Sequence, residues 1–200
     1  MPLCLAVLRP EDHTPELMGS ACGQPCVDVE LRLLDEQGRE VPAGETGEIT
    51  VRAPSAVRGY YNASSLNAET FTHDGWVRTR DMGMLDAQGF LHLKDRKSDM
   101  IITGGYNVYP LEVENALLTH PAVRECVVVG LPHEKWVEVV TAAVVLRDGA
   151  QAAEQELVAH VAAQLASYKK PQRVLFVQEI AKTAVGKLNR RVMREKLKAQ

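Results

Sequence analysis

The hydrophobic pattern of this 200-residue sequence changes at one polar stretch, Asp95–Asp99. Upstream, apolar and polar residues alternate in short runs such as Val27–Leu33, which is the period of a half-buried strand. Downstream, strand-like runs are interspersed with amphipathic segments such as Ala152–Ser167, whose apolar residues fall on one helical face. We therefore predict an α+β protein with an antiparallel β-rich lobe, residues 1–96, followed by a small α+β domain, residues 97–200.

Turn-forming residues place the other predicted elements. Met1–Gly23 is predicted to be a loop because prolines and glycines interrupt any periodicity there. The other predicted strands of the first half are Glu48–Arg52, Trp76–Arg80, Met82–Leu85 and Phe90–Leu93. In the second half we predict strands at Met100–Thr103, Val123–Gly130, Val139–Arg147 and Arg173–Val177, a helix from Pro110 to His120, and a last helix after Gly186.

Composition excludes several classes of protein. Hydrophobic residues make up 46% of the chain and the formal net charge is −3, which is ordinary for a globular protein. An acidic balance gives no reason to expect a nucleic-acid partner. No apolar run approaches the ~20 residues of a membrane-spanning helix, and the start lacks the basic region of a signal peptide. We therefore expect no spanning segment and a cytoplasmic location.

The four cysteines fit that compartment as reduced, partly buried thiols. Cys22 and Cys26 form a C-x3-C pair, but a structural zinc site needs four ligands and no second pair follows. The sequence therefore predicts no metal site in this chain.

Each candidate functional residue, taken alone, gives only a weak indication of function. Asp81 follows the predicted strand Trp76–Arg80, and a carboxylate at a strand end is usually a turn or cap residue. Arg96 lies in the polar stretch Asp95–Asp99, where an ordinary solvated side chain is also expected. The Gly104–Gly105 turn could bring backbone close to a ligand, or it could be a plain hairpin. Lys187 follows Gly186 before the last helix, where a lysine can reach an anion but is most often a surface residue.

The order of these signals is much more specific. The sequence contains four blocks: GEITVRAPSAVRGYYN at 47–62, WVRTRDMG at 76–83, LKDRKSDMIITGGYNVYPLEVENAL at 93–117 and AVGKLNR at 184–190. In this order and spacing they resemble the adenylate-forming ligases, which include acyl-CoA synthetases, aryl-CoA ligases and the adenylation domains of peptide synthetases. The resemblance covers nearly the whole chain and is greatest to the CoA ligases of fatty or other organic acids.

This resemblance implies a chemistry. The family makes an acyl-adenylate from a carboxylic acid and ATP with Mg²⁺, then transfers the acyl group to CoA. Asp81 and Arg96 match residues that contact the ribose of ATP, and Ser98 matches the hinge on which a small mobile C-terminal domain turns. The Gly104–Gly105 turn matches the backbone beside the pantetheine chain of CoA. Lys187 matches the catalytic lysine that bridges carboxylate and phosphate during adenylation.

The sequence also departs from the family pattern. Arg80 stands where the family usually has glycine, Tyr106 where it often has glutamate, and Val137 where it often has glycine. The proline expected shortly before the catalytic lysine is replaced by Ala181 and Lys182. These departures put the details of nucleotide and CoA binding in question.

The family's phosphate-binding loop, acyl pocket and Mg²⁺ ligands are not found in these 200 residues. We therefore expect a C-terminal portion: the last lobe of the large domain, a remnant of a distorted barrel, plus the small domain. Its expected partners are the carboxylic acid, ATP, CoA and the N-terminal part of the same enzyme, and the chain alone is expected to be inactive. The alternatives are a natural stand-alone module that binds CoA or docks on a ligase subunit, and a peptide-synthetase adenylation domain.

Overall fold

The computed structural model describes residues 4–199 and separates into two compact units, with the division between Ser98 and Asp99. The division lies inside the polar stretch Asp95–Asp99, in a 3-10 turn over Lys97–Asp99. The domain roles assigned from the sequence to residues 1–96 and 97–200 stay predictions.

The first unit is built on a four-stranded antiparallel meander whose strands, in order, are Glu30–Leu34, Thr46–Arg52, Val77–Leu85 and Leu91–Arg96. Its strands are β1 (Ala6–Val7), β2 (Gln24–Pro25), β3 (Glu30–Leu34), β4 (Thr46–Arg52), β5 (Val77–Leu85) and β6 (Leu91–Arg96). Its helices are α1 (Pro15–Met18) and α2 (Ser64–Thr70), with a 3-10 turn at Pro10–Asp12. Alternate residues of the meander meet in a core that contains Leu33, Ile49, Val51, Val77 and Leu91. The sheets of the described residues remain open rather than closing into a barrel.

Trp76 lies immediately before β5 and is 7% exposed. The guanidinium of Arg32 lies 3.9 Å from the centre of its ring, and that of Arg52 lies 4.9 Å from it. These cation–π contacts cover the indole on the side of the sheet that carries the charged residues of β3 and β4. The tryptophan is therefore a fixed part of the first unit.

Several predicted elements of this unit were wrong in detail. The segment predicted as loop contains β1 and α1, because Pro10 and Pro15 begin helical turns, a position where proline's missing N–H is not needed. The predicted strand from Val27 begins later, at Glu30, because Asp28 has a φ of 63°. The two strands predicted over Trp76–Leu85 are one strand, β5, with a bulge in its middle.

The second unit has a five-stranded sheet. Strands Val123–His133 and Val137–Leu146 form a long antiparallel pair, and the second of them pairs in parallel with Arg173–Phe176. Its strands are β7 (Ile101–Thr103), β8 (Tyr106–Val108), β9 (Val123–His133), β10 (Val137–Leu146) and β11 (Arg173–Phe176). Its helices are α3 (Pro110–Leu118), α4 (Glu154–Ala162) and α5 (Arg190–Lys198), with a 3-10 turn at Ser167–Lys169.

Helices cover both faces of this sheet. Val128 and Val140 pack with Leu117 of α3 and Leu157 of α4 on one face. Val127, Val129, Met193 and Leu197 form a second cluster, which places α5 against the opposite face. Because both faces are buried, β9 and β10 are continuous apolar runs rather than alternating ones.

One buried carboxylate joins three elements of this unit. Glu114 of α3 is 3% exposed, and its Oε1 accepts a hydrogen bond from the backbone N–H of Val128 in β9 at 2.8 Å. Its Oε2 lies 2.6 Å from Nη2 of Arg190, the first residue of α5. The ion pair and the hydrogen bond together compensate the desolvation of a charge that would otherwise be strongly unfavourable.

Helices of the described part of the chain are all too short or too polar to cross a membrane. The longest of them spans nine residues, far below the ~20 that a bilayer requires.

We expect Glu114→Ala to lower the free energy of unfolding of this chain by about 3–5 kcal/mol, because it removes the carboxylate 2.6 Å from Arg190 Nη2 and the acceptor of the Val128 N–H. Glu114→Gln keeps an acceptor for the Val128 N–H and should lose less. The measurement is urea unfolding followed by far-ultraviolet circular dichroism.

Glu156 supplies the control, since its side chain is 54% exposed and makes only surface contacts at the start of α4, with His120 at 3.3 Å and with the Ala153 N–H at 3.2 Å. Glu156→Ala should change the free energy of unfolding by at most about 1 kcal/mol. A Glu114→Ala chain no less stable than Glu156→Ala would contradict this account of the fold.

Candidate functional site

Asp81 lies at a bulge in β5. Glu48 of β4 pairs with Met82, whereas Thr50 pairs with Arg78, so the residues from Thr79 to Asp81 share the space opposite a single residue of β4. The Thr79 hydroxyl stabilises this geometry: it donates to the Ile49 carbonyl at 2.8 Å and accepts from the Asp81 N–H at 3.1 Å. Bulges redirect side chains, and they are common beside active sites.

Asp81 and Arg96 form a pair across β5 and β6. Their backbones are in register, and Arg96 Nε lies 2.9 Å from Asp81 Oδ1. Burial raises the pKa of Asp81, the Arg96 charge opposes this effect, and the nearby Asp95 carboxylate adds to it. The Arg96 side chain remains 65% exposed. The structure therefore brings the two predicted ribose-contacting residues together and leaves most of the Arg96 side chain exposed to solvent.

Arg80 occupies the bulge in a left-handed conformation, with a φ of 62°. This region is disfavoured for any residue with a Cβ, and glycine enters it without penalty. Glycine is usual at this position in the family that the sequence resembles. The Arg80 guanidinium lies 2.6 Å from Glu69 of α2, and both side chains are about half exposed.

An open cavity of about 880 Å³ lies beside Arg96. Its lining includes the carboxylates of Glu48 and Glu69, the His73 ring, and the cationic side chains of Arg78, Arg80, Arg96 and Lys97. Lys97 Nζ is paired with the buried Glu48 carboxylate at 2.9 Å. Cations outnumber carboxylates in this lining, so the cavity favours an anionic ligand.

Ser98 also lines this cavity and is the last residue of the first unit. The residue before it, Lys97, is held within the first unit by Glu48. The residue after it, Asp99, lies 3.9 Å from Arg190 within the second unit. Ser98 therefore stands between two neighbours that each have a charged partner in their own unit.

Gly104 and Gly105 form the two-residue turn between β7 and β8, with φ values of 56° and 84°. Positive φ at both central residues defines the tight hairpin turn that glycine favours. The two glycines differ in their surroundings: a Cβ on Gly104 would lie 2.9 Å from the Trp136 ring, whereas a Cβ on Gly105 would meet nothing within 4 Å. Gly104 is thus part of a packed contact, and Gly105 presents bare backbone outward.

Aromatic side chains surround this turn. The Trp136 carbonyl accepts a hydrogen bond from the Gly104 N–H at 3.0 Å, and its side chain is 39% exposed. Tyr106 stacks on Tyr168 with ring centres 4.6 Å apart. Val137, after Trp136, has a φ of 69°, the second position where a left-handed conformation coincides with a glycine of the family pattern.

Lys187 lies in a turn immediately before α5. The Thr183 N–H donates to the Lys187 carbonyl at 2.7 Å, and the Lys187 N–H donates to Thr183 Oγ1 at 3.2 Å. Gly186, with a φ of 79°, allows the turn to close. Lys187 is exposed, and no carboxylate of the described residues lies within ion-pair distance of its ammonium group. Hydrogen bonds therefore fix the backbone of Lys187, while its side chain is exposed and able to contact a ligand.

A second carboxylate connects α5 with the glycine hairpin. Glu138 of β10 accepts from the Ile102 N–H of β7 at 3.1 Å, and its other oxygen lies 2.5 Å from Arg194 of α5. Sequence reasoning missed Glu138, Trp136 and Tyr168. The available signal for Glu138 was a lone acid inside the apolar run of β10, which requires a partner when it is buried.

Groups of His, Cys, Asp or Glu side chains able to hold a metal ion were not found among residues 4–199. The prediction of partly buried thiols was wrong for Cys4 and Cys22, which are exposed, whereas Cys126 is buried.

Comparison with known proteins assigns the chain to a class. The family model described as "AMP-binding enzyme" matches residues 2–61. The model described as "AMP-binding enzyme C-terminal domain" matches residues 112–187. The chain therefore belongs to the AMP-binding, adenylate-forming enzyme family, and the resemblance seen in the sequence is confirmed.

Its relatives include acid–CoA ligases. The chain is 40% identical to the medium/long-chain-fatty-acid–CoA ligase FadD8 of Mycobacterium tuberculosis over 96% of this chain and 35% of that protein. It is 41% identical to the 2-succinylbenzoate–CoA ligase of Bacillus cereus over 92% of this chain and 37% of that protein. The chain thus spans little more than a third of the length of these relatives.

A solved structure of the o-succinylbenzoate CoA synthetase of Bacillus subtilis, in complex with its acyl-adenylate intermediate, has a TM-score of 0.86 to this chain. The two are 36% identical over 95% of this chain and 38% of the synthetase. The ATP-bound MatB of Rhodopseudomonas palustris has a TM-score of 0.84 at 37% identity, over 90% of this chain and 36% of MatB. These matches confirm the predicted α+β class.

We expect Arg80→Gly to raise the free energy of unfolding by about 1 kcal/mol, because relief of a left-handed conformation, worth about 1–2 kcal/mol, exceeds the loss of an exposed ion pair. Arg78→Gly is the matched control: it lies on the same strand, two residues earlier, without a positive φ. That change should lower stability by about 0.5–1 kcal/mol. Thermal and urea unfolding measure both, and effects of the same sign would refute the interpretation.

Proposed function

We propose that this chain is the C-terminal portion of an ATP-dependent acid–CoA ligase. In such an enzyme a carboxylate attacks the α-phosphorus of ATP, forming an acyl-adenylate and releasing pyrophosphate. The thiol of CoA then displaces AMP to give the thioester. The observation that carries this proposal is the exposed Lys187 on its hydrogen-bonded turn, in a chain that aligns over almost all of its length with CoA ligases.

The Asp81–Arg96 pair suits the nucleoside of ATP. A desolvated carboxylate is a strong acceptor for two ribose hydroxyls, and Arg96 holds it in place while keeping most of its own surface exposed. The neighbouring cavity, with its excess of cations, favours the phosphate-bearing side of a nucleotide. We assign nucleotide binding to Asp81 and Arg96 on these grounds.

Lys187 suits the adenylation step. The attack joins two anions, so a positioned cation stabilises the transition state where charge accumulates. A lysine without a competing carboxylate can move between carboxylate and phosphate oxygens, because its ammonium group is a compact charge on a flexible stem. We assign the catalytic role to Lys187.

Ser98 suits a hinge between the two half-reactions. A rotation needs a short segment whose backbone angles change while its neighbours stay fixed. Lys97 and Asp99 each have a charged partner within their own unit, and the division between the units falls directly after Ser98, so we assign the change of backbone angles to Ser98.

Gly105 suits the thioester step. Its backbone faces open space and carries no side chain, so an extended thiol chain could pass close to it. We assign the CoA-facing loop to Gly104 and Gly105, with Gly104 held in place by Trp136.

The described residues do not fit a Mg²⁺ site, since they offer no cluster of acidic or histidine ligands. We place the Mg²⁺ ligands and the acyl pocket in an N-terminal part of the same enzyme, which would be the partner of this chain. The acid is a fatty or other organic acid, and we propose a cytoplasmic location.

A chimera tests the catalytic assignment. The chain replaces the corresponding segment of the 2-succinylbenzoate–CoA ligase of Bacillus cereus, its 41% identical relative. We expect acid-dependent ATP–pyrophosphate exchange from the chimera and none from the 200-residue chain alone. Lys187→Ala should lower the exchange rate by about 100- to 1,000-fold, while transfer from supplied acyl-adenylate to CoA changes little.

Lys182→Ala is the control for this experiment. Lys182 lies in the same segment and pairs with Glu125 at 2.9 Å on the surface, so its removal should leave both half-reactions near their original rates. A folded chimera in which Lys187→Ala retains full exchange would refute the assignment. Exchange by the isolated chain would refute its status as a portion of the catalytic unit.

A second pair of variants tests the CoA-facing loop. Gly105→Leu in the same chimera should slow thioester formation at least about tenfold and leave adenylation near normal, because it places a side chain on the bare backbone. Gly149→Leu is matched to it: Gly149 also has a positive φ, 75°, and also faces open space. Equal effects of the two changes on thioester formation would contradict the proposed loop.

A further inference from the structure

Two cysteine sulfurs that are far apart in the sequence lie close together in the first unit. The Sγ atoms of Cys4 and Cys26 are 3.4 Å apart, and the Cys26 thiol donates to the Cys4 sulfur. A disulfide bond is about 2.05 Å long, so rotation about side-chain bonds needs to close only the remaining gap. The sequence predicts only separate reduced thiols, so this contact between Cys4 and Cys26 is new to the structure.

Backbone pairing holds the two residues in place. The antiparallel register of β1 and β2 sets Ala6 opposite Pro25, and the Cys26 N–H continues this ladder by donating to the Leu5 carbonyl at 3.0 Å. Cys4 and Cys26 therefore lie just beyond the end of a hydrogen-bonded ribbon. Their approach follows from strand pairing.

The environments of the four cysteines differ in a way that makes the pair selective. Cys4 is exposed and Cys26 partly exposed, so a small oxidant can reach both. Cys22 is also exposed, but its backbone N–H donates to Leu91 of β6, away from the ribbon. Burial, with a smaller contribution from the Glu114 carboxylate, raises the pKa of Cys126 to about 12, which keeps that thiol protonated and unreactive.

We propose that Cys4 and Cys26 are a thiol–disulfide exchange site that forms an intramolecular disulfide with a low-molecular-weight disulfide as oxidant. The thiolate of one cysteine attacks the oxidant and releases one small thiol, which gives a mixed disulfide. The second cysteine attacks the protein sulfur of that mixed disulfide, and the second small thiol leaves. The two protein thiols lose two electrons and two protons, and the oxidant is reduced to two thiols.

The bond would close a covalent loop over residues 4–26. That loop contains β1, the 3-10 turn at Pro10–Asp12 and α1, and it ends at β2. A cross-link removes conformational freedom from the unfolded chain, so it favours the pairing of β1 with β2. The oxidised state would fasten the first described segment of the chain to the ribbon covalently, and the reduced state would leave it held by hydrogen bonds and by the packing of Leu5 and Ala6 on the core.

The test treats the folded 200-residue chain with oxidised glutathione, followed by alkylation and peptide mapping by mass spectrometry without reduction. We expect a Cys4–Cys26 cross-link with loss of two hydrogen atoms, Cys22 either free or joined to glutathione, and Cys126 unmodified. Cys22→Ser should leave the yield of cross-link unchanged. Cys4→Ser should abolish it and leave Cys26 with a glutathione adduct.

The same reaction in denaturant provides the second measurement. In an unfolded chain the shortest loop closes most readily, so Cys22–Cys26 should become the main disulfide. A Cys22–Cys26 bond as the main product of the folded chain, or separate adducts on Cys4 and Cys26 without a cross-link, would overturn the proposal. An identical mixture of products from folded and unfolded chain would overturn it as well.

Discussion

The geometry of the second unit depends on the ion pair and the hydrogen bond that the buried Glu114 carboxylate makes. This carboxylate joins α3 to β9 through the Val128 N–H and to α5 through Arg190. Because the turn that carries Lys187 ends where α5 begins, the ion pair also fixes the backbone of that turn relative to the sheet. A charge in this interior is tolerated only because each of its oxygens has a partner.

Glu138 of β10 plays a similar part in the same sheet. It receives the Ile102 N–H of the glycine hairpin and pairs with Arg194, one helical turn beyond Arg190. Two carboxylates thus hold one helix at two points, and the segments proposed to act in the two half-reactions are attached to the same framework. In the first unit, the bulge at Thr79–Asp81 fixes the backbone of Asp81, one of the two residues proposed to bind the nucleotide.

The sequence predicted the fold class and the family, and both are confirmed. Continuous apolar runs predicted the strands β9 and β10, and the four motif blocks indicated the resemblance to adenylate-forming ligases. The roles of Asp81, Arg96, Ser98, Gly104, Gly105 and Lys187 remain predictions, which the structure supports with geometry. What could not be predicted depends on distant partners: α2, the strand β1 and the approach of Cys4 to Cys26 follow from tertiary pairing, which local periodicity does not contain. The left-handed backbone at Arg80 and Val137 also gave no local signal, since neither side chain favours it.

The chain has two tryptophans, and each unit contains one of them. Trp76 is buried beneath two guanidinium groups, whereas the Trp136 ring lies partly exposed against the Gly104 turn. Their indole emission should therefore differ in wavelength and in access to a soluble quencher. Replacing either one with phenylalanine would leave a protein whose fluorescence reports on a single unit, so that each could be followed optically by itself without an attached dye.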